Sequence, residues 1–264
     1  MNLSRKWLSE FVDVTVSSKE YDDAMTDSGS KVETTYEPSQ EIQNVVVGKV
    51  LETQRHPDSD HLWVCQVDVG EAEPVQIVTG AQNVHVGDLV PVAKHKSLLP
   101  GGVKIEKGKL RGVKSNGMMC SVQELGLDLH DMPYAAEDGI WIIQEPDAVP
   151  GADIRPLIGA DDSVVEFEIT NNRPDCLSVI GLARETAATF HQALKLHKPV
   201  VKGSGDDIRA HLSIDIANPE LCPRYTAKMV KNIKIEPSPR DVYKRQTQKH
   251  WCHRPNCPAA RQAW

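Results

Sequence analysis

The sequence predicts an α+β chain of more than one domain, in which a small closed β-barrel is flanked by segments of helix and strand. Three observations carry this. Between Asn44 and Leu127, short β-type runs are separated by Gly, Pro and Asp turns. Before that stretch, and again after Cys176, apolar residues recur at helical spacing. The length, 264 residues, allows two domains, or one and part of another.

Taken in order, residues 1–37 read as helical. Ser4 caps a turn over Arg5–Val12, with Trp7, Leu8 and Phe11 on one face. Ser17-Ser-Lys-Glu20 is a capping-box pattern, so a helix over Lys19–Asp27 should follow and end in a left-handed cap at Gly29. Lys31-Val-Glu33 then leads out to the barrel. This segment is too short to hold a core of its own and needs a partner elsewhere in the chain.

The barrel strands are predicted at Val45–Thr53, Leu62–Val69, Val75–Thr79, Leu89–Ala93 and around Met118–Ser121, the last running into a helical turn at Val122–Leu125. In the second strand Trp63, Cys65, Val67 and Val69 share one face. Five short strands and a small helix fit an OB-type barrel, a fold that often binds oligonucleotides. After it, Asp138-Gly-Ile-Trp-Ile-Ile143 reads as a strand and Pro146–Gly151 as a linker. Val164–Thr170 alternates like a half-buried strand, Asn171–Cys176 is a turn, and Leu177–Leu194 is a helix with Leu177, Ile180, Ala183, Ala187 and Phe190 on its apolar face. Residues 1–38 and 152–195 are then expected to form one helix-and-strand domain, with the barrel of residues 39–151 inserted into it.

Composition narrows the function. Hydrophobic content of 40% and charged content of 25% describe a globular protein. The net charge of −7 excludes a global basic field, so any nucleic-acid surface has to be a local patch. The opening MNLSRKWLSEF lacks the apolar run of a signal peptide, and no stretch approaches a membrane span. Cys65, Cys120, Cys176 and Cys222 are isolated, which points to a reduced, cytoplasmic chain without a disulfide framework.

One local patch exists. Lys94, Lys96, Lys104, Lys107, Lys109, Arg111 and Lys114 form a basic run interrupted only by Glu106. Phosphates would account for it through counterion release; a solvated barrel edge, where lysines deter mispairing, is the plainer alternative. The stretch has few aromatics for base stacking, which argues against sequence reading.

Other constellations are weaker. His56, Asp58, Asp60 and His61 suit a metal by residue type, but Pro57 and the aspartates suit a polar turn directly. His250, Cys252, His253 and Cys257 resemble zinc ligands, yet their segment has no apolar periodicity and reads as an unstructured tail. No metal is therefore expected. Ser115, Asn116 and Gly117 lack the first Gly of a nucleophile elbow and read as a barrel turn. Asp175 is placed to cap the helix that begins at Leu177. No catalytic residue is assigned: there is no phosphate loop and no paired nucleophile and base.

The motifs also carry a resemblance. Arg55-His-Pro-Asp-Ser-Asp-His-Leu62, Val67-Asp-Val-Gly70, Val78-Thr-Gly-Ala-Gln-Asn-Val84 and Gly112-Val-Lys-Ser-Asn-Gly-Met-Met-Cys-Ser-Val-Gln-Glu-Leu-Gly126 together resemble the tRNA-binding OB domain of aminoacyl-tRNA synthetases and their accessory proteins. That family leaves several hosts open: phenylalanyl-tRNA synthetase beta subunits, methionyl-tRNA synthetase tails and free tRNA-binding proteins. The flanks narrow the choice. Lys6-Trp7-Leu8, Phe167-Glu-Ile-Thr-Asn-Asn-Arg-Pro-Asp-Cys-Leu-Ser178, Gly181-Leu-Ala-Arg-Glu185 and Cys222-Pro-Arg-Tyr-Thr226 are similar to the bacterial phenylalanyl-tRNA synthetase beta subunit over residues 1–239. Ser30-Lys31 before Val32-Glu33 departs from the Leu-Glu of many members.

The resemblance implies the following. Residues 39–151 would be a tRNA-binding OB domain and 205–240 the start of an editing-type domain whose pocket lies mostly beyond residue 240. The chain would be the N-terminal part of a beta subunit, non-catalytic alone, giving tRNA binding and scaffold surface. The whole enzyme would attach phenylalanine to its tRNA with ATP and Mg²⁺, in a cytoplasmic α2β2 assembly with the alpha subunit. No cofactor is implied for this part, and no membrane. A free dimeric tRNA-binding protein without enzyme activity is the alternative. Beyond Pro239 the resemblance stops. Asp241-Val-Tyr-Lys-Arg-Gln246 reads like a translated sequencing-library transposon end, so residues 241–264 are expected to be non-native.

Overall fold

The computed structural model describes residues 1–235, apart from 130, 131, 133, 199, 201, 202, 204 and 205. The tail expected to be non-native, 241–264, and the zinc-type residues His250, Cys252, His253 and Cys257 lie outside the described residues. The described chain divides into two compact units, one within Met1–Lys195 and one within Leu196–Ser238.

The first unit opens with strand β1 (Asn2–Ser4) and a short helix α1 (Arg5–Leu8). Ser4 is the N-cap, its Oγ accepting from the Trp7 amide at 2.9 Å. The helix stops well short of the expected Val12. Glu10 and Phe11 make i→i−3 bonds, and Val12, Val14, Thr15 and Val16 follow as β-branched residues that crowd a helical turn. Helix α2 (Ser18–Asp27) has Ser17 as its N-cap and leaves through Gly29 at φ +102°, with Ser30 N–H bonded to Met25 C=O at 2.8 Å. Strand β2 (Val32–Tyr36) then runs where only an exit from the helix was expected. Residues 1–37 are thus not all helical: two strands are hidden among them.

The barrel strands are β3 (Gln43–Arg55), β4 (Trp63–Asp68), β5 (Val75–Thr79), β6 (Leu89–Leu99), β7 (Val103–Ile105), β8 (Gly108–Leu110), β9 (Val113–Ser115) and β10 (Gly117–Met119). All pairings are antiparallel, in the order β10-β6-β3-β4-β5, with β7 on β6 and β8 paired to β9 as a separate hairpin. The sheet curls until its ends approach: Asn116 N–H donates to Gln76 C=O at 2.8 Å, and Val78 N–H to Ser115 Oγ at 3.1 Å. Inside the curl, Val50, Cys65, Val67, Ile77, Val90 and Val92 are buried together. Val45 and Val47 point the other way, into a second core with Cys120, Leu125, Trp141, Ile143 and Ile154. Burial on both faces explains the unbroken valine run that opens β3.

Residues 138–143 are not a strand, contrary to expectation. The segment keeps strand-like alternation, with Ile140 in the barrel core and Trp141 and Ile143 in the second core. Its bonds to the barrel include Trp141 N–H to Cys120 C=O (3.1 Å) and Ile143 N–H to Leu89 C=O (2.8 Å), without a continuous ladder. Nor does the linker float: Gly151 N–H donates to Val47 C=O, and Val47 N–H to Ala152 C=O, both at 2.8 Å. The turn after β10 is a capping box rather than a helix, Ser121 and Glu124 each accepting the other's amide hydrogen.

After helix α3 (Arg155–Ile158), strand β11 (Val164–Phe167) pairs with both β1 and β2, in the order β1-β11-β2. Helix α4 (Val179–Thr189) packs its buried face over this sheet's core, with Leu182, Ala183, Thr186 and Ala187 inward. Tyr21 of α2 meets it, hydrogen-bonded to Thr186 Oγ1 at 2.9 Å and stacked on Phe190 at 5.6 Å. The helix is shorter than predicted and its buried face is rotated: Leu177 and Ile180 are exposed. The reason is the 3-10 turn Pro174–Cys176, which lies against the helix at Gly181, where a Cβ would sit 1.8 Å from Asp175 C=O. Ser178, not Asp175, is the N-cap, accepting from Gly181 N–H at 3.0 Å.

The second unit has one regular element among the described residues, the 3-10 turn Ile208–Ala210. Leu221, Val230, Ile233 and Ile235 are exposed in it, and Cys222 is half-buried.

Candidate nucleic-acid interface

The last part of the basic run, Lys109, Arg111 and Lys114, folds into a hairpin beside β5. Strands β8 and β9 are joined by Arg111 and Gly112, both at positive φ (43° and 87°), the geometry of a type I′ turn matched to strand twist. Alternation then sorts the side chains. Leu110, Val113 and Ser115 share the face toward the barrel, where Ser115 is buried. Lys109 and Lys114, direct cross-strand partners, share the outer face. Like charges placed opposite each other are unfavourable, so this pair is held in spite of its own repulsion.

What holds it is a set of polar tethers. The loop between β3 and β4 closes by His56 N–H to Leu62 C=O at 3.0 Å. The buried His56 ring accepts the Asp58 amide at Nδ1 (3.0 Å), so its Nε2 carries the proton and donates to Leu110 C=O (3.1 Å). Arg111 Nη1 reaches back to Asp58 C=O at 3.3 Å, Gln76 Nε2 donates to Lys114 C=O at 2.8 Å, and Lys107 N–H to His95 Nδ1 at 3.2 Å. The two loops that flank the binding face of an OB barrel are therefore tied together.

The seven predicted basic residues separate into two sets. Lys104, Lys107, Lys109, Arg111 and Lys114 lie on the β7–β9 segment and are exposed. Lys94 and Lys96 belong to β6. Lys94 is half-buried and paired with Glu71 at 3.2 Å, and Lys96 sits at φ +65° on an irregular stretch of the strand. Among the described residues, Lys96, Lys104, Lys107, Lys109 and Lys114 have no acidic partner. The sequence does not mark the hairpin as strands, because each is three residues long and too short to show alternation. The Leu-Arg-Gly-Val sequence at 110–113, two apolar residues bracketing a Gly-containing pair, is the signal that was present.

Beside the hairpin runs a groove of about 590 Å³, between the end of β5, the β7–β8 segment, β10 and Gly139–Ile140. Ser115 at its edge is spent on structure, accepting from Val78 N–H and donating to Gly117 C=O at 3.0 Å. His56, committed at both ring nitrogens, does not form a metal set with Asp58, Asp60 and His61. Among the described residues, Asp175, Cys176 and Glu185 do converge within 4.8 Å, but the Arg173 guanidinium lies among them, 3.0 Å from Asp175, 2.8 Å from Glu185 and 3.2 Å from Cys176 Sγ. Arg173 holds the Asp175 carboxyl down at about 2. Burial pushes the Cys65 thiol up to about 11 and Cys120 to about 12, so neither offers a thiolate at neutral pH.

The family description "Putative tRNA binding domain" matches residues 45–150, which span the barrel, the hairpin and the groove. The phenylalanine–tRNA ligase beta subunit of Clostridium acetobutylicum is 50% identical over 240 residues, and that of Staphylococcus haemolyticus 42% identical over 239. Each alignment takes in 90% of this chain and 30% of the relative. Among solved structures, a MetRS related protein from Pyrococcus horikoshii aligns with 43% of this chain and 89% of its own, at 25% identity and a TM-score of 0.29, too low to carry an argument about geometry. The identity extends through both flanks of the barrel, and the chain spans about 30% of the length of the curated relatives it matches, all of them phenylalanine–tRNA ligase beta subunits.

Proposed function

We propose that this chain supplies tRNA-binding and scaffold surface to a phenylalanine–tRNA ligase, the enzyme that attaches phenylalanine to its tRNA with ATP and Mg²⁺. The finer architecture follows the same reading. An OB barrel, residues 39–151, is inserted into one α+β domain made of 1–38 and 152–195, and 205–240 opens an editing-type domain. The pairing of β11 between β1 and β2 supports it, since one sheet then draws strands from both sides of the barrel sequence. The alpha subunit is the expected partner in an α2β2 assembly, in the cytoplasm. No helix of the described residues is long and apolar enough to cross a membrane. A free dimeric tRNA-binding protein is disfavoured by identity that continues well outside the barrel.

The observation that carries the tRNA reading is the exposed set Lys104, Lys107, Lys109, Arg111 and Lys114, none paired with a carboxylate among the described residues, on the β7–β9 segment, whose hairpin is tethered at several points. Lys94 contributes less, being engaged with Glu71. Binding should be weak and strongly salt-dependent, with a log–log slope of roughly 0.7 per neutralised phosphate. With three contacts, affinity falls about tenfold to twentyfold between roughly 50 and 200 mM salt. Replacing Lys107, Lys109 and Arg111 with Ala should flatten the slope and weaken phenylalanine tRNA and an unrelated tRNA alike, because phosphate contacts position without reading bases. Salt-independent binding in a titration of the chain would reject the patch.

A further inference from the structure

We propose that the groove beside the hairpin receives one unpaired nucleobase, preferably one bearing an exocyclic amino group, while the hairpin lysines hold the flanking phosphates. This inference rests on the tRNA reading above and assigns a second, chemically different part of the same site.

The groove has the size of a small-ligand site, for which roughly 300–1,000 Å³ is usual. Its walls suit a flat occupant. Gly80 and Gly108 contribute backbone without side chains, and Met118 lines the floor. Gly108 faces Ser115 across the hairpin, and by alternation it lies on the barrel-facing side, away from Lys109. A Cβ built there meets nothing within 4 Å, so the space beside it is open.

The rim is charged in a pattern that separates a nucleotide's two ends. Lys104 lines the groove and has no acidic partner, and the lysine face of the hairpin continues from it. Glu106, two residues on, also lines the groove and has no hydrogen-bond or ion-pair partner among the described residues. A carboxylate next to a phosphate-binding surface would repel a ligand that was phosphate alone. It accepts hydrogen bonds from an exocyclic amine, as carboxylates do toward cytosine N4. Uracil instead presents two carbonyl oxygens about a single N–H and is disfavoured there. The lysine face and the groove thus divide the work: one holds charge, the other selects for an extruded base.

The test uses fluorescence anisotropy of the full chain with three short single-stranded oligoribonucleotides of equal length: oligoadenylate, oligouridylate and an abasic ribose-phosphate chain. The wild type should bind oligoadenylate about fivefold more tightly than the abasic chain, the low end for a base held without an aromatic platform. Oligouridylate should fall between. Gly108→Leu, which fills the groove from an unstrained position, should bring oligoadenylate down to the abasic level with no change in salt slope. Glu106→Gln, an exposed and unpaired position, should narrow the adenylate-over-uridylate gap and so reads the groove even if the leucine variant folds poorly. Equal, salt-dependent binding of all three oligonucleotides by the wild type would overturn the groove inference and leave the phosphate patch standing. An unchanged base preference in Glu106→Gln would overturn it too. Absence of salt-dependent binding to all three would sink the tRNA reading and this inference together.

Discussion

The barrel wall and the basic hairpin lie side by side and are held by different forces. In the wall, β3, β4, β5 and β6 place Val, Ile and Cys side chains into closed cores, and Val50, Cys65, Val67, Ile77 and Val92 are fully buried. Burial alone accounts for their order, at about 1.5–3 kcal/mol for each large side chain. The hairpin has no such core. Its two strands are three residues long, Leu110 is 41% exposed, and two lysines oppose each other across it. Its position depends on hydrogen bonds from His56, Arg111, Gln76 and Lys107. A surface dense in like charge cannot organise itself. It has to be presented by a body whose stability comes from elsewhere.

Truncating a comparable alkyl side chain in each region tests this most severely. Ile77→Ala in the wall should cost about 2–5 kcal/mol, the usual range for a buried aliphatic residue. Leu110→Ala in the hairpin should stay within about 0.5 kcal/mol. Urea unfolding followed by circular dichroism measures both. Equal losses would mean that the hairpin is part of the cooperative core.

The same contrast decides what was legible beforehand. The wall can be read from residues: the strand predicted at Val75–Thr79 coincides with β5, and the Trp63, Cys65, Val67, Val69 face is the one that turns inward. Period-2 alternation survives wherever one face is buried. It fails where pairing is set by distant partners. Asn2–Ser4 and Val32–Tyr36 are strands because β11, about 130 residues or more away in sequence, lies between them, and nothing local announces that. Asp138–Ile143 has the alternation but sits between two cores without a continuous ladder. In the candidate site, the basic residues were legible and their division was not. Lys94 looks like Lys109 in sequence, and only the fold pairs it with Glu71. The groove left no sequence signal, since its lining residues come from four separated segments.

A smaller effect is expected at the tether. His56→Ala removes the bond to Leu110 C=O and the acceptor for Asp58 N–H, at about 0.5–1.5 kcal/mol for each. The loss should be local. Backbone amides of 108–115 should exchange several-fold faster, while those of β3 and β6 keep their protection. The tRNA salt slope should fall as the lysines lose their fixed spacing, which a merely smaller folded fraction would not cause. Uniform acceleration across β3 and the hairpin would show that His56 supports the wall instead.

The smallest effect on stability runs in the opposite direction. Lys109 faces Lys114 directly, and a like-charged cross-strand pair is unfavourable. Lys109→Glu puts a carboxylate opposite Lys114 and turns repulsion into attraction, a gain of roughly 0.2–1 kcal/mol, toward the low end because both positions are exposed. Stability should therefore rise slightly in low salt and return to the wild-type value as salt screens the pair. Binding should move the other way. One phosphate contact is lost, lowering the slope by roughly 0.7, and the new carboxylate repels the backbone. No substitution that opens a cavity in the wall should separate the two properties in this manner, since a destabilised barrel loses fold and ligand together. Thermal unfolding and tRNA titration of the same preparation, at low and at high salt, read both signs. If Lys109→Glu lowered stability, the lysine pair would already be neutralised by some group within the chain, and its place in phosphate binding would fall.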